Sequence, residues 1–329
     1  MSWSYVKQNG SVNHRDKTEQ GLAENRASGT EIDRQLPVGG EIFLDHVGHF
    51  VRDAAAASRA LAQAGFAPTP QSVQSNPDGT PTGTGNVTAM FGRGYIEVLF
   101  KTADTALGRE FDLALADHAG VHLAAFSVAD VQGAHRRLTE SGFATRPLVQ
   151  FQRPVETVTG PGIAAFTVVR LERGAMAEGR IQILAHRTEN TVWQPRWLTH
   201  RNGASGLIDL AVACADVEEA AARFERFTGH KAQATAFGQA AIALDRGQVN
   251  LFSAEAFAAM FPEIALPRLP FMGAYALRVR SLATVESLLK QEQMRVRQLG
   301  GSLVVPFPDE LGAGAWLFVE NAGDLPWRS

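Results

Sequence analysis

The chain has one cysteine, three tyrosines and five tryptophans among 329 residues, and a formal net charge of only -3. With a single thiol, Cys214, no internal disulfide can form, which fits a reducing compartment. Cys214 lies in an apolar run with no histidine or other base near it in sequence, the setting of an inert thiol. No stretch approaches the ~18 consecutive apolar residues of a membrane span. The near-neutral charge, with no cluster of Lys and Arg, argues against a broad nucleic-acid footprint. Residues 1–40 are poor in apolar side chains, and acids (Glu19, Glu24, Glu31, Asp33) lie among the bases, unlike a signal or transit peptide. These absences lead us to expect a soluble cytoplasmic protein whose partner is a small molecule, with no role for nucleic acid or membrane.

What is present is a repeat. Asp53 to Gly65, followed by Phe66-Ala67, is echoed by Asp130 to Gly142, followed by Phe143-Ala144. An apolar run precedes each Asp. The pattern reads as strand, N-cap, amphipathic helix, glycine stop and further strands. A fainter copy runs from Leu207 through Asp216 to Gly229, and a fourth from Ala274 through Ser281 to Gln291. The expected fold is α+β, with four tandem βαβββ modules forming two curved mixed sheets. Residues 1–40 read as an N-terminal arm, which Trp3, Tyr5 and Leu22 would hold to the body or to a second copy; a homo-oligomer is compatible with this. Residues 41–204 read as modules 1 and 2, and residues 205–329 as shorter, structural modules 3 and 4. Within module 1, Pro77–Gly85 reads as a loop and Asn86–Phe91 as a strand; in module 2, Gly160-Pro161-Gly162 reads as a turn. The apolar, Pro-rich Phe257–Pro270 reads as a lid or a brace.

Two residues stand out as chemically costly. His46 lies mid-strand with Leu44, Gly48 and Phe50 on its face under period-2 alternation. Glu97, in Tyr95-Ile-Glu-Val-Leu-Phe100, is flanked by large apolar residues, so its carboxylate faces an interior where an unpaired charge is expensive. If the two strands share one concave sheet, an imidazole and a carboxylate meet at one point. The plainer reading is a core histidine hydrogen-bonded to a buried glutamate.

Modules that open with Leu44-Asp-His-Val47 and close with Gly94-Tyr-Ile-Glu-Val-Leu99 resemble the vicinal oxygen chelate superfamily. Gly83-Thr-Gly-Asn86 and the connector His186…Trp193…Pro195…His200-Arg-Asn-Gly-Ala204 are similar to its glyoxalase-like-domain branch. The resemblance spans roughly residues 41–322 and is strongest over 41–204. It implies metal ligands on the first and last strands of a module: His46 and Glu97, a third ligand from the first strand of module 2, for which His122 is the candidate, and a fourth position near Gln182. Gln182 is a poor ligand, and His186, on the same strand face, could substitute. The repeat offset places Leu123, not His122, opposite His46, so His122 faces inward only if a bulge corrects the phase. Otherwise His122 is a surface histidine and His186 a packing histidine. His49, of opposite parity to His46, faces the helix layer or a module interface. Modules 3 and 4 lack the set, with Asp209 at the position of His46. Arg93 and Arg170 could meet an anionic substrate group, although surface arginine is their default reading.

The resemblance therefore implies a divalent metal ion (Fe(II), Mn(II) or Zn(II)) held by His46 and Glu97 with His122 and/or His186. Glu97 and His122 are the candidate catalytic groups. The implied enzyme chelates a small oxygen-rich substrate, in the manner of a glyoxalase, lyase or isomerase. A ring-cleaving dioxygenase, and a metal-free protein that binds or sequesters a small molecule, are the alternatives.

Overall fold

The computed structural model describes residues 34–235 and 239–328. Most of the expected arm, residues 1–33, lies outside the described residues. The first module comprises β1 (Ile42–Phe50), α1 (Ala54–Gln63), β2 (Ser72–Ser75), β3 (Pro81–Met90) and β4 (Tyr95–Lys101). Helix α2 (Ala106–Asp117) leads to the second: β5 (Gly120–Val128), α3 (Val131–Glu140), β6 (Val149–Thr157), β7 (Gly160–Val169) and β8 (Arg180–His186). A connector with α4 (Glu189–Val192) precedes β9 (Ala204–Cys214), α5 (Val217–Thr228), β10 (Ala232–Thr235), β11 (Gln239–Ala243) and β12 (Gln248–Ser253). After α6 (Ala254–Met260) come β13 (Phe271–Val279), α7 (Leu282–Gln291), β14 (Arg297–Leu299), β15 (Ser302–Pro306) and β16 (Ala315–Val319). The βαβββ order therefore occurs four times. No described helix is long and apolar enough to cross a membrane.

The repeat signature works through backbone chemistry. In each module a short polar side chain before the helix, Asp53, Asp130, Asp216 or Ser281, accepts the amide N–H three residues on. That satisfies one of the donors a helix start leaves unpaired. Three of the helices stop at a glycine with left-handed backbone, Gly65, Gly142 and Gly229, at φ 85°, 84° and 81°. Module 4 makes the same turn with Gln293 at φ 58°, which explains why its copy is the hardest to see: the glycine is gone although the conformation remains.

Some local expectations need correction. The stretch expected as a loop up to Gly85 is already strand from Pro81, and β7 begins at Gly160 where a turn was expected. Gly83 belongs in that strand because the Thr105 side chain packs onto its backbone, leaving no space for a Cβ. Helix α2 and strand β6 carry no clear sequence signal and were not anticipated.

Among the described residues, sixteen strands form two sheets of different kinds. Strands β1–β8 close into a barrel in the order β1-β4-β3-β2-β6-β7-β8-β5. The two modules meet along the antiparallel β1–β5 seam and again, thinly, at β2–β6, where Ser75 pairs Gln152. Strands β9–β16 form an open sheet, β10-β11-β12-β9-β13-β16-β15-β14. One of its faces is filled by the chain itself: Phe257 and Phe261 of the α6 segment, with Leu325 and Trp327 near the C-terminus, pack against Ala211, Phe271, Ala276 and Leu317. The Phe257–Pro270 segment is thus a brace. Asp209 lies on this side, and its carboxylate accepts from Arg328, Trp327 and Asn250.

The outer faces of both sheets share one core with helices α1, α3, α5 and α7, including Leu61, Leu138, Phe224 and Leu289. His49 joins the halves, as its strand parity implies. Its Nδ1–H donates to the Leu311 carbonyl at 2.9 Å, and its Nε2 accepts from the Tyr275 hydroxyl at 2.9 Å. Tyr275 in turn accepts from Trp316 Nε1 at 2.6 Å. Every donor in this chain has its acceptor only while His49 is neutral, and burial pushes the imidazole down to about 4.

The folded His49 value lies below the ordinary 6.5, so its contribution is complete above about pH 6.5 and is lost as pH falls towards 4. Urea unfolding of the wild type across this window is expected to show a loss that His49→Gln, unable to take the proton, reduces by on the order of 3 kcal/mol at most. Parallel stability–pH curves for the two proteins would contradict a buried neutral His49.

Candidate active site

The barrel interior is built from alternate residues of its strands. His46 from β1, Asn86 from β3, Tyr95, Glu97 and Leu99 from β4, Leu123 from β5, Phe151 and Arg153 from β6, Phe166 and Val168 from β7, and Arg180, Gln182 and Leu184 from β8 line one cavity of about 60 Å³. Arg170, just past β7, lines it as well. At one end the barrel is stopped by a cluster that includes Met90, Tyr95, Trp193 and Leu198. Beyond Arg170, Arg180 and Gln182 lies an outer cavity of about 370 Å³, walled in part by α2 and by His118 and His122.

His46 and Glu97 converge. His46 Nε2 stands 3.4 Å from Glu97 Oε2, and both side chains are buried. The other Glu97 oxygen accepts from Asn86 Nδ2 at 2.6 Å. The imidazole lies on the Tyr95 ring, with centroids 4.3 Å apart. Behind it is a residue that sequence reasoning missed. Asp45, wholly buried, accepts from His46 Nδ1 at 2.7 Å and from His186 Nε2 at 2.9 Å. Period-2 alternation would put Asp45 on the opposite face from His46. The β1–β5 register shows why it is not: Leu44 pairs Phe126 and His46 pairs Ala125, leaving Asp45 as the extra residue of a bulge.

The charge states follow from these contacts. Burial alone would push the His46 imidazole down, but the hydrogen bond to Asp45 and the Glu97 carboxylate outweigh it and hold it at about 9. For Asp45, burial acts upward, yet the two histidines hold the carboxyl well below the usual range. Glu97 is likewise held low, burial being overcome by His46, Asn86 and Arg153. The result is a charged row, Glu97–His46–Asp45, that ends on His186. His186 therefore reaches His46 through Asp45 and not through a shared ion. It is wedged edge-on against Trp193 and Phe166.

His122 is placed elsewhere. A second shift in the β1–β5 register, between Gly48–Leu123 and His49–Val121, leaves His122 as an unpaired residue, so the bulge that it needed is present. The ring nevertheless turns to the outer cavity. Its Nε2–H donates to the His118 carbonyl at 2.8 Å, and its ring packs on His118, 4.1 Å away between centroids. Leu123 takes the inner position, close against Gly48. Among the described residues, no three His, Cys, Asp or Glu side chains are grouped as a metal site requires. Of the four expected ligands the structure brings His46 and Glu97 together, leaves His186 one residue behind them, and sends His122 away. His200 serves the fold, bonding the Ala67 amide and the Met90 carbonyl. Cys214 is buried, with burial pushing its thiol up to about 12.

The barrel and its register also place the chain among known proteins. Residues 44–228 match the family described as "Glyoxalase-like domain". The chain belongs to that family. With it goes membership of the vicinal oxygen chelate superfamily. No curated protein sequence matches the chain. Solved structures share its fold at low identity. A hypothetical protein from Staphylococcus aureus is 9% identical at a TM-score of 0.60, covering 84% of this chain and 98% of that one. A mutant 4-hydroxymandelate synthase from Streptomyces coelicolor is 14% identical at 0.52, covering 84% and 92%. A xylose isomerase-like TIM barrel/4-hydroxyphenylpyruvate dioxygenase fusion protein is 12% identical at 0.55, covering 94% of this chain and 54% of its own length.

Removing the Asp45 carboxylate strands two imidazole N–H groups in a dry interior. Asp45→Ala is expected to cost about 3–5 kcal/mol in chemical denaturation. A cost below about 1 kcal/mol would show that the two histidines find other partners.

Proposed function

We propose that the β1–β8 barrel is the active centre of an enzyme that binds a small oxygen-rich molecule at a divalent metal ion, Fe(II), Mn(II) or Zn(II), held by His46 and Glu97. The observation that carries this reading is the 3.4 Å between His46 Nε2 and Glu97 Oε2. Two ligands each ~2.0–2.2 Å from one ion stand about that far apart at a tetrahedral angle. Two further observations support the fit. The Asp45 carboxylate orients the imidazole from its far nitrogen, as carboxylate–histidine–metal sites require. Gln182 Oε1 is buried, has no hydrogen-bond partner among the described residues, and belongs to a residue lining the same cavity. Imidazole nitrogen and carboxylate, with the weaker amide oxygen of Gln182 beside them, would form a donor set that leaves positions open for substrate.

The chain's own residues have definable tasks. Asp45 fixes which His46 nitrogen faces the cavity, and Asn86 fixes the Glu97 rotamer. Tyr95 and Trp193 help close one end of the barrel against water. Glu97, beside His46 and lining the cavity, would be the group to take or return a proton on substrate. Bound there, a divalent ion supplies Lewis-acid polarisation of substrate oxygens. The reaction class that fits is isomerisation or lyase-type elimination. Oxygen uptake by the Fe(II)-loaded protein with catechols would move it to the ring-cleaving dioxygenases.

One observation favours a second reading. In the Glu97–His46–Asp45 row the imidazolium lies between two carboxylates and each group has a partner within the row, as a metal-free binding protein would have it. Metal content separates the two. Protein purified without chelator is expected to carry, or take up in calorimetric titration, about one equivalent of Mn(II), Fe(II) or Zn(II). His46→Ala and Glu97→Ala should each lose it, and Asp45→Asn should weaken it by about 10–100-fold. Absence of uptake, or uptake unchanged in these variants, would leave the binding-protein reading.

A further inference from the structure

Three guanidinium groups line the small cavity around His46 and Glu97, those of Arg153, Arg170 and Arg180. Only one has a carboxylate. Arg180 Nη2 stands 2.6 Å from Glu110 Oε2 of α2, and the same glutamate also meets Arg146 at 3.0 Å. Arg153 and Arg170 make no side-chain hydrogen bond or ion pair among the described residues, and the Nε of each is buried without a partner. Arg153 is 7% exposed. Arg170 lies over the Phe151 ring, 4.8 Å from its centroid, which supports the flat face of the guanidinium and leaves its N–H edge free. Glu97, the carboxylate nearest in function, is already engaged by Asn86 and His46.

A buried cation without an ion pair is expensive, and here a buried Arg153 and a half-buried Arg170 share one cavity with donor atoms left for an incoming anion. Burial pulls the Arg153 guanidinium down, with Tyr95 and Glu97 acting the other way across the cavity, and burial with the neighbouring Arg180 pulls Arg170 down to about 9 against the pull of Glu110; neither has a carboxylate within ion-pair distance among the described residues. Arginine is also the side chain whose planar donor fork fits carboxylate and phosphoryl oxygens.

We propose that the substrate is a small organic anion, and that Arg153 and Arg170 bind its carboxylate or phosphoryl oxygens beside His46 and Glu97. This rests on the reading of the barrel as the active centre and adds the substrate's charge. The outer cavity shares Arg170, Arg180 and Gln182 with the inner one, so the anion enters past arginines and its uncharged part remains toward the vestibule. Arg180, neutralised by Glu110, forms the wall between them.

The test is calorimetry on the full chain treated with chelator, so that no metal contributes. Malonate and inorganic phosphate are the anionic probes, and malonamide is the neutral match for malonate. One of the anions is expected to bind and malonamide to bind at least tenfold more weakly; whichever anion is preferred identifies the carboxylate or the phosphoryl source. Arg153→Gln and Arg170→Gln should each weaken anion binding tenfold or more, with Arg153→Lys recovering part of it. Thermal melting gives a second readout. Because the free guanidinium is unpaired, ligand-free Arg153→Gln should melt at or above the wild-type temperature, and malonate or phosphate should raise the melting temperature of the wild type only. Equal binding of malonamide, no binding of either anion, unchanged affinity in both variants, or a ligand-free Arg153→Gln that melts several degrees lower would each overturn the proposal. Since metal content is measured on untreated protein and anion binding on chelator-treated protein, either result can fail without the other.

Discussion

A single buried carboxylate organises this active-site candidate. Asp45 has no exposure to solvent, and burying its charge is tolerable only because two imidazole N–H groups, from His46 on β1 and His186 on β8, are directed at its two oxygens. The two strands belong to different modules, so the same contact that neutralises Asp45 also ties the modules together across the barrel. It fixes His46 by its far nitrogen and leaves the near one facing Glu97. Everything that the cavity can do chemically depends on that orientation.

The two halves of the chain show what happens when one architecture is kept with and without a site. In the first half the sheet closes, its interior mixes charged and polar groups with apolar ones, and the cavity persists. In the second half Asp209 sits where His46 would be, but its carboxylate is occupied by Arg328, Trp327 and Asn250, and the remaining space is packed with Phe257, Phe261 and Trp327. The C-terminal segment and α6 serve there as internal ligands. The filled sheet supplies a rigid partner through the shared helix core and through His49, Tyr275 and Trp316, while the hollow barrel carries the unpaired groups.

Much of this was legible in the sequence. Four modules could be read because the Asp or Ser cap and the glycine stop are backbone requirements that recur with fixed spacing, and they fade where Gln293 replaces glycine. The His46–Glu97 meeting could be read because each residue is a polar group within an apolar strand run, and from His46 onward β1 keeps the alternation that turns His46, Gly48 and Phe50 to one side. What could not be read depends on departures from alternation. A bulge at Asp45 brings that carboxylate behind His46, while the bulge at His122 does not turn its ring inward, the contacts to His118 holding it at the outer cavity; no local residue type announces either. Arg153 was invisible for a different reason. Its strand, β6, has exposed and polar positions that resemble a loop, and only barrel closure turns Arg153 inward. Arg170 is legible as a cation that could meet an anionic substrate group, with surface arginine as its default reading, because its packing on Phe151 and its place beside Arg180 depend on residues remote in sequence or beyond a loop.

Among the described residues, His46, and no other histidine, presents its imidazole together with Glu97 to one point inside the barrel. Pulsed electron paramagnetic resonance on the Mn(II)-loaded protein measures this directly. The account predicts coupling to a single imidazole nitrogen that disappears in His46→Ala and persists in His122→Ala. Coupling to two imidazoles, or to one that survives loss of His46, would contradict it.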